Sequence, residues 1–231
     1  EKPTSSKDPF ALRRTAIGLL RIITENKLNV KVKDLINYSI ATYEEQDVNF
    51  QNKIVAKDVF LFLRERFKNL LKDKKIRNDI IEAVDSTYMG DNFFSLYKKC
   101  LVINKNISKD ICKNIIGTYK RASNIIDQEL KNKADQILGQ PESFLFKKEE
   151  EKNLFKKINE IRKYFSSTKK DESYDETLKV LAEAKLITDN FFDNVIVNDE
   201  NSDIKKNRLE LLQMFCKTYN NFIDFSKVEG V

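Results

Sequence analysis

The side chains best suited to bind a ligand lie on one predicted helix near the middle of the chain. Lys113, Lys120 and Asn124 share a face of that helix, because 7 and 11 residues return an α-helix close to its starting angle. Tyr119 and Arg121 stand beside them in sequence. Lysine and arginine contact RNA phosphates, aromatic rings and arginine planes stack on bases, and amides read base edges. The face therefore carries residue types that suit single-stranded RNA, and an ordinary solvated basic face is the alternative.

Two further groups of basic residues are candidates for the same role. They are Lys152, Lys156 and Lys157 on a later predicted helix, and Arg13 and Arg14 near the start of the first helix. We expect Arg13 and Arg14 to face RNA or another part of a longer polypeptide, and not the core of this chain. Residues 106–171 hold 15 Lys and Arg against 10 Asp and Glu, whereas residues 172–231 hold 7 against 12. If the partner is RNA, the attraction should therefore come mainly from parts of the chain outside this acidic end.

No arrangement of residues for catalysis is visible. The chain contains no histidine, which excludes His-based catalysis and His–metal sites. Its three cysteines are far apart and form no CxxC pair, so we expect reduced thiols and no zinc site. There is no glycine-rich phosphate loop and no apolar run near the ~20 residues that span a bilayer. We expect a cytoplasmic protein that is not an enzyme on its own.

Helical periodicity runs through the chain, and no alternating strand pattern of useful length appears, so we predict an all-α fold. Turn sequences around residues 104–107 suggest two domains, a helical connecting region at 1–105 and a helix bundle at 106–231. The predicted helices are 32–44, 54–73, 76–86, 91–103, 107–127, 147–166, 174–190 and 203–225, after a first helix that Asp8 and Pro9 begin. Because the chain begins at Glu1 and not at Met, we expect a piece of a longer polypeptide.

The stretch 187–215 joins the last two predicted helices through a polar corner. Phe191 and Phe192 end the first of them and should belong to the core. Arg208 falls on the apolar face of the second, where a charge needs a partner. We predict that Arg208 bridges back to the FFDN corner at residues 191–194 in a structural role, with Asp193 preferred over Asp189. A contact between Arg208 and RNA is the alternative.

Three segments resemble one protein family, the bacterial glycyl-tRNA synthetase β subunit. PTSSKDPFALRR at residues 3–14 is very like a family segment, although Ser5 stands where the family usually has glycine. TYKRASNI at residues 118–125 resembles a family helix with the pattern KRVxNI. FFDNVIV at 191–197, followed by an acidic loop and NRLELL, resembles the end of the DALR-type anticodon-binding domain. The resemblance covers essentially the whole chain.

The resemblance implies a role in attaching glycine to its tRNA during protein biosynthesis. This part would bind the anticodon of glycine tRNA, without membrane or DNA contact and without a cofactor of its own. ATP and Mg²⁺ would be used by the whole α2β2 ligase, whose α subunit holds the adenylation site and whose β subunit includes an N-terminal part absent here. The alternatives are the C-terminal domain of an arginyl- or cysteinyl-type synthetase, and a helical protein–protein interaction module without an RNA role.

Overall fold

The computed structural model describes residues 8, 10–46, 48, 51–88, 90–130, 139–167 and 173–230. In these ranges it contains helices and no β-strand, so the all-α prediction is confirmed. The α-helices are α1 (Leu12–Glu25), α2 (Val32–Glu44), α3 (Asn52–Asp73), α4 (Asn78–Thr87), α5 (Phe93–Asn106), α6 (Asp110–Leu130), α7 (Glu149–Ser167), α8 (Tyr174–Ala182), α9 (Lys185–Asn194) and α10 (Ser202–Tyr219). Short 3₁₀ turns lie at Ser143–Leu145 and Phe225–Lys227. No described helix combines the length and the apolar character needed to cross a membrane.

The described residues form two compact units. The first runs to Ile81 and includes Tyr88–Leu101, and the second comprises Glu82–Thr87 and the chain from Val102 onward. The predicted division between residues 105 and 106 falls at the end of α5 and stays a prediction. In the first unit α3 packs against α1 and α2. Phe67 of α3 and Phe93 of α5 form an aromatic contact in its core, with ring centroids 4.8 Å apart.

The start of α1 differs from the sequence prediction. Asp8 does act as a cap, because its carboxylate accepts hydrogen bonds from the backbone N–H groups of Leu12 and Arg13 at 2.8 and 3.1 Å. The regular helix begins only at Leu12, after Ala11 adopts a left-handed conformation with φ 53°. Pro9, the predicted first helical residue, lies outside the described residues.

The second unit is a bundle built around α10. Helix α10 packs against α6 and α7, while α8 and α9 pack on α6. The predicted helix at 174–190 is divided in two, since α8 ends at Ala182 and α9 begins at Lys185. At this break the backbone carbonyl of Leu181 accepts a hydrogen bond from the buried hydroxyl of Tyr219 at 2.7 Å. A partner so far along the chain leaves no trace in local periodicity.

The three cysteines are free and buried. Burial raises the pKa of the Cys112 thiol to about 11 and that of Cys216 to about 12. Both groups therefore stay protonated near neutral pH and have little thiolate character.

Candidate RNA-binding face

Helix α6 has one face in the core and one face in solvent. Its buried residues repeat at helical spacing and are Cys112, Ile115, Ile116, Thr118, Tyr119, Ala122 and Ile126. The basic face of α6, as we call it, comprises Lys113, Lys120, Arg121 and Asn124. Lys113, Arg121 and Asn124 are exposed and Lys120 is partly buried. The structure thus brings four of the five residues predicted on this helix to one surface.

Tyr119, the fifth predicted residue, belongs to the core. Its side chain is only 3% exposed, and its hydroxyl donates a hydrogen bond to the Asn220 side-chain oxygen at 2.9 Å. Its ring lies against Phe225, with centroids 5.7 Å apart. Burial is the main cause that raises the Tyr119 pKa far above the usual value for tyrosine. The predicted stacking of Tyr119 on a base is therefore corrected, because its ring is inaccessible to RNA.

Arg121 is held against the end of α9. Its guanidinium lies 4.3 Å from the centroid of the Phe192 ring, and one of its nitrogens is 4.0 Å from the Asp193 carboxylate. Half of the Arg121 side chain, 51%, remains exposed. Phe191 is fully buried as predicted and packs edge-on against Phe192, which is partly buried. The two phenylalanines therefore form a support that fixes the position of Arg121.

The three candidate lysines of α7 have different surroundings. Lys152 is exposed and forms an ion pair with Glu149 at 2.6 Å. Lys157 is partly buried and forms an ion pair with Glu183 at 2.7 Å, which ties α7 to the end of α8. Lys156 is exposed, beside a polar groove between α7 and α9. Lys157 therefore has a structural role in this unit, while Lys152 and Lys156 stay accessible.

Arg13 and Arg14 lie in the first turn of α1, in the other unit. Arg13 is partly buried and Arg14 is exposed. Neither residue is fully buried, and the expectation that they face RNA or another part of a longer subunit stays a prediction.

Arg208 is buried, as predicted, but its partners are not the predicted ones. The side chain is 3% exposed and donates to Glu151 at 2.8 Å, to Asp199 at 2.6 Å and to the Ile196 carbonyl at 2.8 Å. Arg208 reaches the loop that follows α9, at Ile196 and Asp199, and not the predicted FFDN corner at residues 191–194. The prediction that Asp193 is the preferred partner is wrong. Asp193 is exposed at the end of α9, where it lies 4.0 Å from Arg121.

The main partner of Arg208 comes from a distant helix. Glu151, 0% exposed, lies in the first turn of α7, where its carboxylate also accepts the backbone N–H groups of Lys147 and Lys148 at 2.7 Å each. A carboxylate at a helix N-terminus is stabilised by the helix dipole. The backbone N–H of Asn201 and the Arg208 guanidinium lower the pKa of Asp199. Asp189, the second predicted candidate, instead pairs with Lys185 within α9.

Two neighbours of Arg208 hold the segment that precedes α7. Asn207, almost fully buried, accepts from the Glu142 backbone N–H at 2.7 Å and donates to the Glu142 carbonyl at 3.1 Å. Glu210 accepts from the Gly139 backbone N–H at 2.8 Å. We call Asn207, Arg208 and Glu210 the α10 clamp. The motif NRLELL therefore encodes a structural device, which sequence reasoning found only at Arg208.

Comparisons with known proteins agree with this architecture. The family described as glycyl-tRNA synthetase beta subunit matches residues 1–86, and the family described as DALR anticodon binding domain matches residues 115–229. The glycine–tRNA ligase beta subunit of Rickettsia africae (strain ESF-5) is 35% identical over 228 residues, covering 99% of this chain and 32% of the relative. The corresponding subunit of Clostridioides difficile (strain 630) is 32% identical over 227 residues, covering 98% of this chain and 32% of that relative.

The chain spans about a third of the length of these curated relatives. The matched regions cover both the segment around Arg13 and Arg14 and the bundle of α6 to α10. The chain belongs to the glycyl-tRNA synthetase beta subunit family, and the greater part of its second unit matches the DALR anticodon-binding domain.

Proposed function

We propose that this chain binds the anticodon region of glycine tRNA through the basic face of α6. One observation carries the proposal: the anticodon-binding domain family matches residues 115–229, and the helix that opens this region carries the exposed Arg121 and Asn124 beside the partly buried Lys120. Lys113 extends the same face by two turns toward the helix start. The residue types are those that single-stranded RNA requires.

Each side chain of the face has a defined task in this proposal. Lys113 and Lys120 neutralise phosphates about 10 Å apart along the helix axis. Arg121, with one contact already made to Phe192, presents its half-exposed guanidinium plane to a base. Asn124 reads a base edge with its amide. Tyr119 contributes indirectly, because it anchors α6 in the core.

The wider role follows from the relatives. We infer that this chain supports the ATP-dependent attachment of glycine to its tRNA in the cytoplasm, as part of an α2β2 ligase. An α subunit and the remainder of a β subunit would be its protein partners. ATP and Mg²⁺ would bind outside this chain, so this chain alone should give no glycine-dependent exchange between ATP and pyrophosphate.

Direct RNA binding tests the proposal. Fluorescence anisotropy should show tighter binding of glycine tRNA than of a tRNA for another amino acid. Changing Lys120 and Arg121 to alanine should weaken binding by roughly 1–3 kcal/mol if one of them contacts a base edge, and should lower the salt slope by about one per lost phosphate contact. The matched control is Lys179→Ala, an exposed lysine of α8 that is not among the candidate RNA contacts.

Two outcomes would contradict the proposal. Equal affinity for all tRNAs, or no detectable binding of any tRNA, would favour a protein–protein interaction module. Unchanged affinity and salt slope in the Lys120 and Arg121 variant would remove RNA from α6 and direct attention to Lys156 on α7. Circular dichroism should show an unchanged helix content in every variant, so that a loss of binding reports on contact.

A further inference from the structure

A glycine lies in the middle of α6, at Gly117. Glycine inside an exposed helix destabilises it relative to alanine, because the unfolded backbone has more conformational freedom to lose. A helix tolerates an isolated glycine at this cost, which a packing, backbone or functional role can offset.

Neither packing nor backbone conformation requires glycine at this position. A Cβ atom built on Gly117 meets no described heavy atom within 4 Å, apart from its chain neighbours and the backbone of its own helix. The residue is exposed and has helical geometry, whereas the positive-φ glycine among the described residues is Gly230. Alanine would fit at Gly117 without displacing any described atom and would strengthen the helix.

The position of Gly117 indicates a functional reason. Lys113 lies one turn before it on the helix surface, and Lys120 and Arg121 lie one turn after it. The basic face therefore has a bare patch of backbone between its cationic side chains. Glycine is the residue that lets another chain approach a backbone closely.

We propose that Gly117 is the point where the sugar–phosphate backbone of single-stranded RNA crosses α6 in direct contact with the helix. Lys113 and Lys120 bind phosphates on the two sides of this crossing. Any side chain at position 117 holds the strand away from the helix and lengthens both contacts. The inference rests on the proposed function and adds to it a residue that sets the distance of approach.

The test separates close approach from simple charge attraction. Gly117→Ala should raise the melting temperature by roughly 2–4 °C yet weaken binding of glycine tRNA by about fivefold, the low end of what overpacking a close contact costs. Gly117→Lys adds a positive charge to the face but should weaken binding at least as much. The matched control is Gln128→Lys, which adds the same charge at an exposed position of α6 on nearly the same side of the helix.

Each result has one meaning. Weaker binding by both Gly117 variants, with unchanged or tighter binding by Gln128→Lys, supports the crossing at Gly117. Tighter binding by Gly117→Lys, or unchanged binding by Gly117→Ala, overturns it, because the face would then act only through its charge. The variant with both Lys120 and Arg121 changed to alanine distinguishes failure of this inference from failure of the proposed function. If that variant loses affinity while the Gly117 variants do not, this inference fails and the proposed function stands; if none loses affinity, both fail.

Discussion

The substitution Arg208→Met tests how much the α10 clamp contributes to stability. The side chain is 3% exposed and makes three hydrogen bonds, to Glu151, Asp199 and the Ile196 carbonyl. Methionine has a similar length but no donor, so it removes the charge with little loss of volume. The consequence falls on Glu151, whose carboxylate has no exposed area and would lose its only cationic partner among the described residues.

The magnitude follows from what each partner loses. Breaking a buried ion pair by removing one member costs roughly 3–5 kcal/mol. Glu151 keeps two backbone N–H donors and a place in the first turn of α7, which favours the low end, about 3 kcal/mol. Asp199 is partly exposed and can be rehydrated. At roughly 2–4 °C per kcal/mol for a chain of this size, the melting temperature should fall by about 6–12 °C.

The assay is thermal unfolding followed by circular dichroism, with Lys152→Met as the matched control. Lys152 forms an equally short ion pair with Glu149, but both side chains are exposed, so this change should cost under about 0.5 kcal/mol. Below the melting temperature, Arg208→Met should bind glycine tRNA with wild-type affinity. An unchanged melting temperature together with lost tRNA affinity would show that Arg208 contacts RNA and that the structural argument is wrong.

Three other changes test separate features. Burial lowers the pKa of Lys99 to about 8 from 10.5, so between these pH values the unfolded chain binds more protons and the free energy of unfolding rises with pH. Lys99→Met should therefore stabilise the protein at neutral pH by up to about 3 kcal/mol. Urea titrations at several pH values should show this gain fading as the pH approaches 10.5. Asp193→Asn should change stability by under about 0.5 kcal/mol in thermal melts, since its contact with Arg121 is exposed; a loss of about 2 kcal/mol would restore Asp193 as a buried partner. Asn207→Ala removes two partly buried hydrogen bonds to the Glu142 backbone and should cost about 2 kcal/mol in urea unfolding, whereas a loss below about 0.5 kcal/mol would show that this residue does not fix the segment.

Helix positions could be predicted because their signal is local. Apolar residues repeating every three or four positions predicted a helix at 54–73, and the structure has α3 at Asn52–Asp73. The division between α8 and α9 could not be predicted in this way. It coincides with a hydrogen bond from Tyr219 to Leu181, and the two residues meet only in the folded bundle.

Tyr119 was assigned to the wrong face although the sequence contained the right signal. It follows Ile115 by four residues and precedes Ala122 by three, which places it on the apolar stripe of α6. Adjacency to Lys120 suggested the basic face, but neighbouring residues of a helix differ by about 100° in direction. Spacing and not adjacency should therefore decide which side chains of a helix reach a ligand.

The partner of Arg208 illustrates the opposite case. A buried charge on an apolar face requires a counter-charge, and this much was correctly predicted from the sequence. The choice of Asp193 assumed that the nearest carboxylate in the chain would be the nearest in space. Glu151 lies 57 residues away, in a helix whose packing against α10 no local pattern reveals.

We expect burial and pairing inside the fold, and not net charge alone, to decide which cations are available to RNA. By charge alone Lys157 and Lys120 rank equally, and the acidic end of the chain should repel RNA. Some carboxylates of that acidic end form ion pairs within the protein, since Glu183 pairs with Lys157 and Asp199 pairs with Arg208. Lys157 and Arg208 are thereby committed to the fold, whereas Lys120 lies on the outward side of α6. For this reason, neutralising Lys157 should lower stability more than it lowers tRNA affinity. Neutralising Lys120 should lower tRNA affinity more than it lowers stability.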